Sequence, residues 1–137
     1  MPVKKDRIIL DTNLWISYLL TRELSRVDKV FREAKVTLLF SKELLDEFIE
    51  VSQRPRLRKR FPAGDVDILI TELQAIAEFI DVTSKVDICR DPKDNFLLSL
   101  AKDGKASYLI TGDKDLLVIG QFKKTQILTI TEYLDLT

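Results

Sequence analysis

Arg7-Ile8-Ile9-Leu10-Asp11-Thr12-Asn13 decides how this chain is read. Its apolar run is continuous rather than alternating, as in a strand covered on both faces of a parallel sheet. A carboxylate placed directly after such a strand is partly buried and needs a partner. Similar short runs recur at Val36 to Phe40, Phe79 to Val82, Tyr108 to Ile110 and Ile127 to Ile130.

Helical patterns separate these runs. Leu14 to Leu20 forms one, capped near Asp11 to Asn13, and a second starts at about Leu24 with Val27, Val30, Phe31 and Ala34 on one stripe. Ser41 is a good N-cap for a helix from Lys42 to about Ser52, which ends before Pro55. Asp65 to Ala77 is amphipathic. Asp91-Pro92 opens a helix that runs to Gly104, and a short one surrounds Glu132 to Leu134. Strands alternating with helices predict an α/β fold: a three-layer α/β/α domain with a mostly parallel, roughly five-stranded sheet. No repeat or second domain interrupts residues 1–137, which read as a single domain.

Composition narrows the chemistry. The 137 residues contain no histidine, which removes Ser-His-Asp and Cys-His catalysis and nearly every catalytic zinc site. Catalysis must then run on carboxylates, Lys, Tyr or a metal held by oxygen. The single Cys89 forms no internal disulfide, and no apolar run reaches the roughly 18–20 residues of a membrane helix. A cytoplasmic protein without membrane contact is the expectation. The formal net charge is zero, but Arg54, Arg56, Arg58, Lys59 and Arg60 fall together. That run is either a solvated helix end or a phosphate-contacting patch.

The acids fall at the ends of these elements. Asp11 follows the first strand, Asp113 follows Tyr108 to Ile110 by two residues, and Asp91 and Asp94 open the helix between. In open parallel sheets ligands bind beyond the carboxyl ends of the strands. At ~100° per residue, Glu47 stands about 40° from Val51 and borders the apolar face of its helix. Each acid also has an innocent reading. Asp91-x-x-Asp94 can be a capping pair, Asp113 and Asp115 a turn, and Glu47 an ordinary boundary residue. Thr12, Asn13, Ser41, Asn95 and Thr111 supply hydroxyls and amides that would orient converging carboxylates. Such carboxylates repel one another unless a cation neutralises them, and oxygen-only ligands select Mg²⁺ or Mn²⁺.

Leu10-Asp11-Thr12-Asn13, Ser41 to Phe48, Asp91-Pro92-Lys93-Asp94-Asn95 and Leu109 to Leu117, in that order, resemble the PIN-domain nucleases. The similarity covers essentially the whole chain. It is closest to the prokaryotic branch of toxin–antitoxin toxins, related to VapC-type ribonucleases. The resemblance implies Mg²⁺- or Mn²⁺-dependent cleavage of single-stranded RNA, a homodimer and an antitoxin partner. Carried over, Asp11, Glu47, Asp94 and Asp113 match the acidic quartet, and Asp115 matches a frequent extra acid of weaker standing. Thr12, Asn13 and Thr111 match the polar support, and Asp91 is left as a helix cap. Arg54 to Arg60 and Lys114 are then candidates for the RNA backbone. A receiver domain would want an acidic pair after the first strand and a Lys after the last, and a dehalogenase-like phosphatase would want Asp at Asn13. Neither pattern is present. The remaining alternative is a non-catalytic PIN-like module that binds protein or RNA.

Overall fold

The computed structural model describes residues 6–21, 36–61 and 64–136. Its strands are β1 (Asp6–Leu10), β2 (Val36–Phe40), β3 (Glu78–Phe79), β4 (Tyr108–Ile110), β5 (Gln121–Phe122) and β6 (Thr125–Leu128). Its helices are α1 (Thr12–Thr21), α2 (Lys42–Ser52), α3 (Pro55–Arg58), α4 (Asp65–Ile76), α5 (Asn95–Gly104), α6 (Lys114–Leu117) and α7 (Ile130–Asp135). A single 3-10 turn, Pro92–Asp94, leads into α5. The helix expected from Leu24 lies outside the described residues.

The strands form one sheet in the order β3-β2-β1-β4-β6-β5, all parallel except the β5–β6 hairpin. The apolar runs explain this arrangement. Ile8, Ile9, Leu38, Leu39, Phe40, Leu109 and Ile110 are all buried, and α5 lies across β1, β2 and β4. The chain winds outward from β1 to β3, then returns to place β4 on the other side of β1. The junction of β1 and β4 is therefore the topological switch point, where the loops at the carboxyl ends part and leave a crevice.

The expected mostly parallel sheet is borne out, and two expectations about its strands need correction. The sheet has six strands among the described residues, because the two-residue β5 pairs back on β6 through a turn at Lys123, whose φ is +52°. The last strand ends at Leu128 rather than Ile130, since Thr129 and Glu132 form a reciprocal capping box that starts α7 at Ile130. The helix α5 ends at Gly104 as expected, and Lys105 takes the left-handed turn after it. Gly104 is there for close packing: a Cβ on it would stand 2.9 Å from Leu39 Cδ1 and 3.2 Å from Ile80 Cγ1.

The second correction is the run expected as a strand from Phe79 to Val82, of which only Phe79 lies in β3. After Ile80, whose amide still reaches Phe40 O at 2.8 Å, the chain leaves the sheet and runs along α5 as an extended strap. Three side chains at four-residue spacing on α5 take over its amides. The Asp103 carboxylate accepts from Thr83 N and Ser84 N, Ser99 Oγ from Val86 N, and the Asn95 carbonyl from Ile88 N and Cys89 N. The ladder delivers the chain in fixed register to Asp91 and the turn that carries Asp94.

Candidate metal centre

One hollow at the switch point, of about 170 Å³, is lined by Asp11, Thr12, Asn13, Glu47, Asp94 and Asp113. Four separated segments supply them: the end of β1, the middle of α2, the turn before α5, and the loop after β4. Arg54 also lines this hollow.

Each acid is fixed locally. Asp11 is buried and caps α1, one carboxylate oxygen accepting from Leu14 N at 3.1 Å while the other accepts a short hydrogen bond from the Thr111 hydroxyl. The same Thr111 oxygen accepts from Asp113 N at 3.0 Å, so one side chain registers the acids that follow neighbouring strands. Asp113 caps α6 through Asp115 N at 2.9 Å. Glu47 receives the Thr12 hydroxyl at 2.5 Å. Asp91 is the N-cap that the sequence suggests, accepting from Lys93 N at 3.0 Å.

The tightest group is Asp94, Asp113 and Asp115, one carboxylate oxygen of each lying within 4.8 Å of the others. Asp115, ranked last by its sequence match, thus stands in the group from which Asp11 and Glu47 are set back. Ser41 and Asn95 are not the carboxylate-orienting groups expected of them. Ser41 Oγ accepts from Leu44 N and caps α2, and Asn95 holds the strap and donates to Asp87 at 3.3 Å. Both secure the backbone that presents Glu47 and Asp94, because backbone amides at these element ends compete for the same short side chains. Asn13 is exposed on the wall.

Of the basic candidates only Arg54 meets the hollow, and it also pairs with Glu50 at 3.3 Å one helical turn back. Arg56, Arg58, Lys59, Arg60 and Lys114 are exposed. Sequence reasoning passed over Arg90, which reaches Asp115 at 3.7 Å. Its signal was position alone, immediately before Asp91.

The electrostatics are those of crowded acids. Burial above all, then the facing Asp113 carboxyl and the charges of Asp91 and Asp115, push the Asp94 carboxyl up to about 7. Burial also raises Asp11, opposed by the Thr111 hydroxyl and the Leu14 amide and reinforced by Asp113. Cys89 stands close enough to feel the same charge. Burial, then Asp94, Asp113, Asp91 and Asp115, push its thiol up to about 11 and keep it protonated.

The arrangement fits a hard divalent cation. Every donor is a carboxylate oxygen or a hydroxyl, and the buried Asp94 Oδ2 has no hydrogen-bond partner among the described residues. Two oxygens on opposite sides of an ion bound at about 2.1 Å stand roughly 4.2 Å apart, and the Asp94, Asp113 and Asp115 oxygens, all within 4.8 Å of one another, are close enough to share one.

Comparison with known proteins accords with this geometry. The family model described as PIN domain matches residues 7–115, the span that holds Asp11, Glu47, Asp94, Asp113 and Asp115. The chain belongs to the PIN domain family. It is also 31% identical over 118 residues to an uncharacterized protein of Methanocaldococcus jannaschii, covering 82% of this chain and 74% of that one. PIN domains are typically nucleases, usually dependent on divalent metals, and act on nucleic acids. The clustered acids of this PIN domain fit that chemistry. No helix among the described residues is long and apolar enough to cross a membrane.

Proposed function

We propose that this chain, acting as one PIN domain over residues 1–137, is a Mg²⁺- or Mn²⁺-dependent endoribonuclease that hydrolyses phosphodiester bonds of single-stranded RNA. The observation that carries the reading is the convergence of Asp11, Glu47, Asp94 and Asp113 on one small hollow at the switch point. Carboxylates so placed repel one another, and a cation is what makes the arrangement favourable.

Asp94 and Asp113 would hold the cation, with Asp115 beside them and Asp11 behind, directly or through water. When bound, the cation supplies an acidified water and offsets negative charge growing on the phosphoryl oxygens. Thr12 holds Glu47 by one carboxylate oxygen and leaves the other to orient the attacking water and accept its proton, or to help hold a second ion. The water oxygen bonds to phosphorus, one P–O ester bond breaks, and the leaving oxygen takes up a proton. Arg54 at the hollow, with Arg56, Arg58, Lys59, Arg60 and Lys114 around it, binds neighbouring phosphates.

The finer identity rests on the motif resemblance alone: the toxin of a toxin–antitoxin pair, a cytoplasmic homodimer restrained by an antitoxin protein. The experiment is incubation with labelled single-stranded RNA and Mn²⁺, with and without chelator, for the native chain and Asp94→Ala. Cleavage that needs both the ion and Asp94 is expected; cleavage that survives either loss would sink the proposal. Metal binding without cleavage of any RNA would favour the non-catalytic module.

A further inference from the structure

A second hollow also borders the Pro92–Asp94 turn. Its volume is about 360 Å³ against about 170 Å³ for the acidic one. Lys93, Asn95 and Phe96 line it, whereas Asp94, within the same run, lines the acidic hollow. Neighbouring residues of one turn therefore line two different hollows. Lys85 of the strap and Glu43 of α2 contribute to the remaining wall.

The chemistry of this hollow is unlike that of its neighbour. Lys85 and Lys93 are exposed, and among the described residues neither is engaged in an ion pair. Phe96 is half-buried and offers part of its ring, with Pro92 beside it. The walls are tied down rather than adventitious. Ser84 donates to Asp103 at 2.5 Å and Ser99 Oγ accepts from Val86 N at 3.0 Å, so the strap that carries Lys85 is fastened to α5, the helix that carries Phe96. Cations beside an aromatic face match one nucleotide of a single strand, which offers a phosphate and a flat base.

We propose that this hollow is a nucleotide subsite, which takes the RNA residue next to the phosphate under attack at Asp94 and Asp113; it rests on the ribonuclease reading above. Lys85 and Lys93 bind the phosphate, and the base lies on Phe96 and Pro92. Glu43, the one acid of the wall, accepts from an N–H group on the base edge and so biases the position of the cut.

The test uses the full chain and a fluorescein-labelled single-stranded RNA, with affinity read by anisotropy in chelator over a range of salt. Lys85→Ala and Lys93→Ala should each weaken binding about five- to tenfold. Each should also lower the slope of log affinity against log salt by about 0.7, the share of one phosphate contact on a single strand. Glu43→Ala, which removes the acceptor, should shift the cut positions on a mixed-sequence RNA with Mn²⁺. Both lysines are exposed, so their loss leaves the fold intact. Unchanged affinity and salt slope in the two lysine variants overturn the subsite, as does an unchanged cut pattern in Glu43→Ala for base reading. Lysine-dependent binding by a chain that cuts no RNA would sink the hydrolysis and leave the subsite; normal cutting with indifferent lysines would do the reverse.

Discussion

The hydroxyl of Thr12 donates to a carboxylate oxygen of Glu47 at 2.5 Å, across 35 positions of sequence. Thr12 is buried at the start of α1, and Glu47 projects from the middle of α2. The bond fixes which Glu47 oxygen faces the acidic hollow. Thr12→Val keeps the shape and removes the donor. We expect RNA cleavage to fall about tenfold in kcat, less than the ~10²–10⁴-fold that a general base contributes, because Glu47 itself is kept. Mn²⁺ affinity should change less than twofold if Asp94, Asp113 and Asp115 carry the ion, which a calorimetric titration checks.

Thr111 bonds two acids at once, donating to Asp11 and accepting from Asp113 N. Thr111→Val leaves a buried carboxylate short of its strongest support. The expected loss of stability is about 1–3 kcal/mol, measured by urea unfolding at pH 7. The Asp11 carboxyl, already raised by burial, should rise further.

Asp94 gives a pH dependence of known sign. Its folded carboxyl is held up to about 7, above its value of 3.8 in the open chain. Between those values the folded state binds more protons than the unfolded, so the metal-free protein loses stability as pH rises through this window. Asp94→Asn removes the charge. In chelator its melting temperature should exceed that of the native chain by a few degrees at pH 8 and match it near pH 4. With saturating Mn²⁺ the order should invert. An unchanged or lower melting temperature at pH 8 in chelator would mean that the acids do not repel.

Asp103 has the opposite sign. The Ser84 hydroxyl, then the Ser84 and Thr83 amides, hold its carboxyl below the usual carboxylate range. Its contribution is present at neutral pH and fades as pH falls through its lowered value. Asp103→Ala should speed amide exchange at Thr83 and Ser84 by at least tenfold, while the amides of β1 and β4 exchange as before.

Gly104→Ala sets two effects against each other. Alanine gains up to about 1 kcal/mol as a helix former. The added methyl, however, meets Leu39, which is itself buried, and Ile80. Overpacking of this kind costs typically ~1–3 kcal/mol, so the packing term should win and the melting temperature fall. A rise would show that α5 can shift off the sheet without loss.

Much of this was legible from local pattern. The unalternating runs Ile8 to Leu10, Val36 to Phe40 and Tyr108 to Ile110 announced a sheet buried on both faces, and Ser41 with Pro55 bracketed α2. Asp11 and Asp113 could be placed at one rim because a carboxylate following a parallel strand has few other places to go. The β5–β6 hairpin was not legible, since its turn uses Lys123 in place of glycine or asparagine. Nor was the strap. Phe79 to Val82 has a strand's composition, and only the distant Asp103, Ser99 and Asn95 draw the chain beyond Ile80 away from the sheet.

The sequence by itself narrowed which groups could do chemistry here: with no histidine and a single cysteine, carboxylates, Lys, Tyr or an oxygen-held metal remained, and the acids stood at element ends. It also settled the strand–helix alternation, because hydrophobic period is a local property of the chain. Only the tertiary structure decided the ranking among the acids, drawing Asp115 into the tight group with Asp94 and Asp113 and giving Thr12, Thr111, Ser41 and Asn95 their separate tasks. The reason is physical. Which oxygen meets which proton depends on distances between segments up to 100 residues apart, fixed by the packing of α1, α2 and α5 against the sheet and by no local preference of the chain.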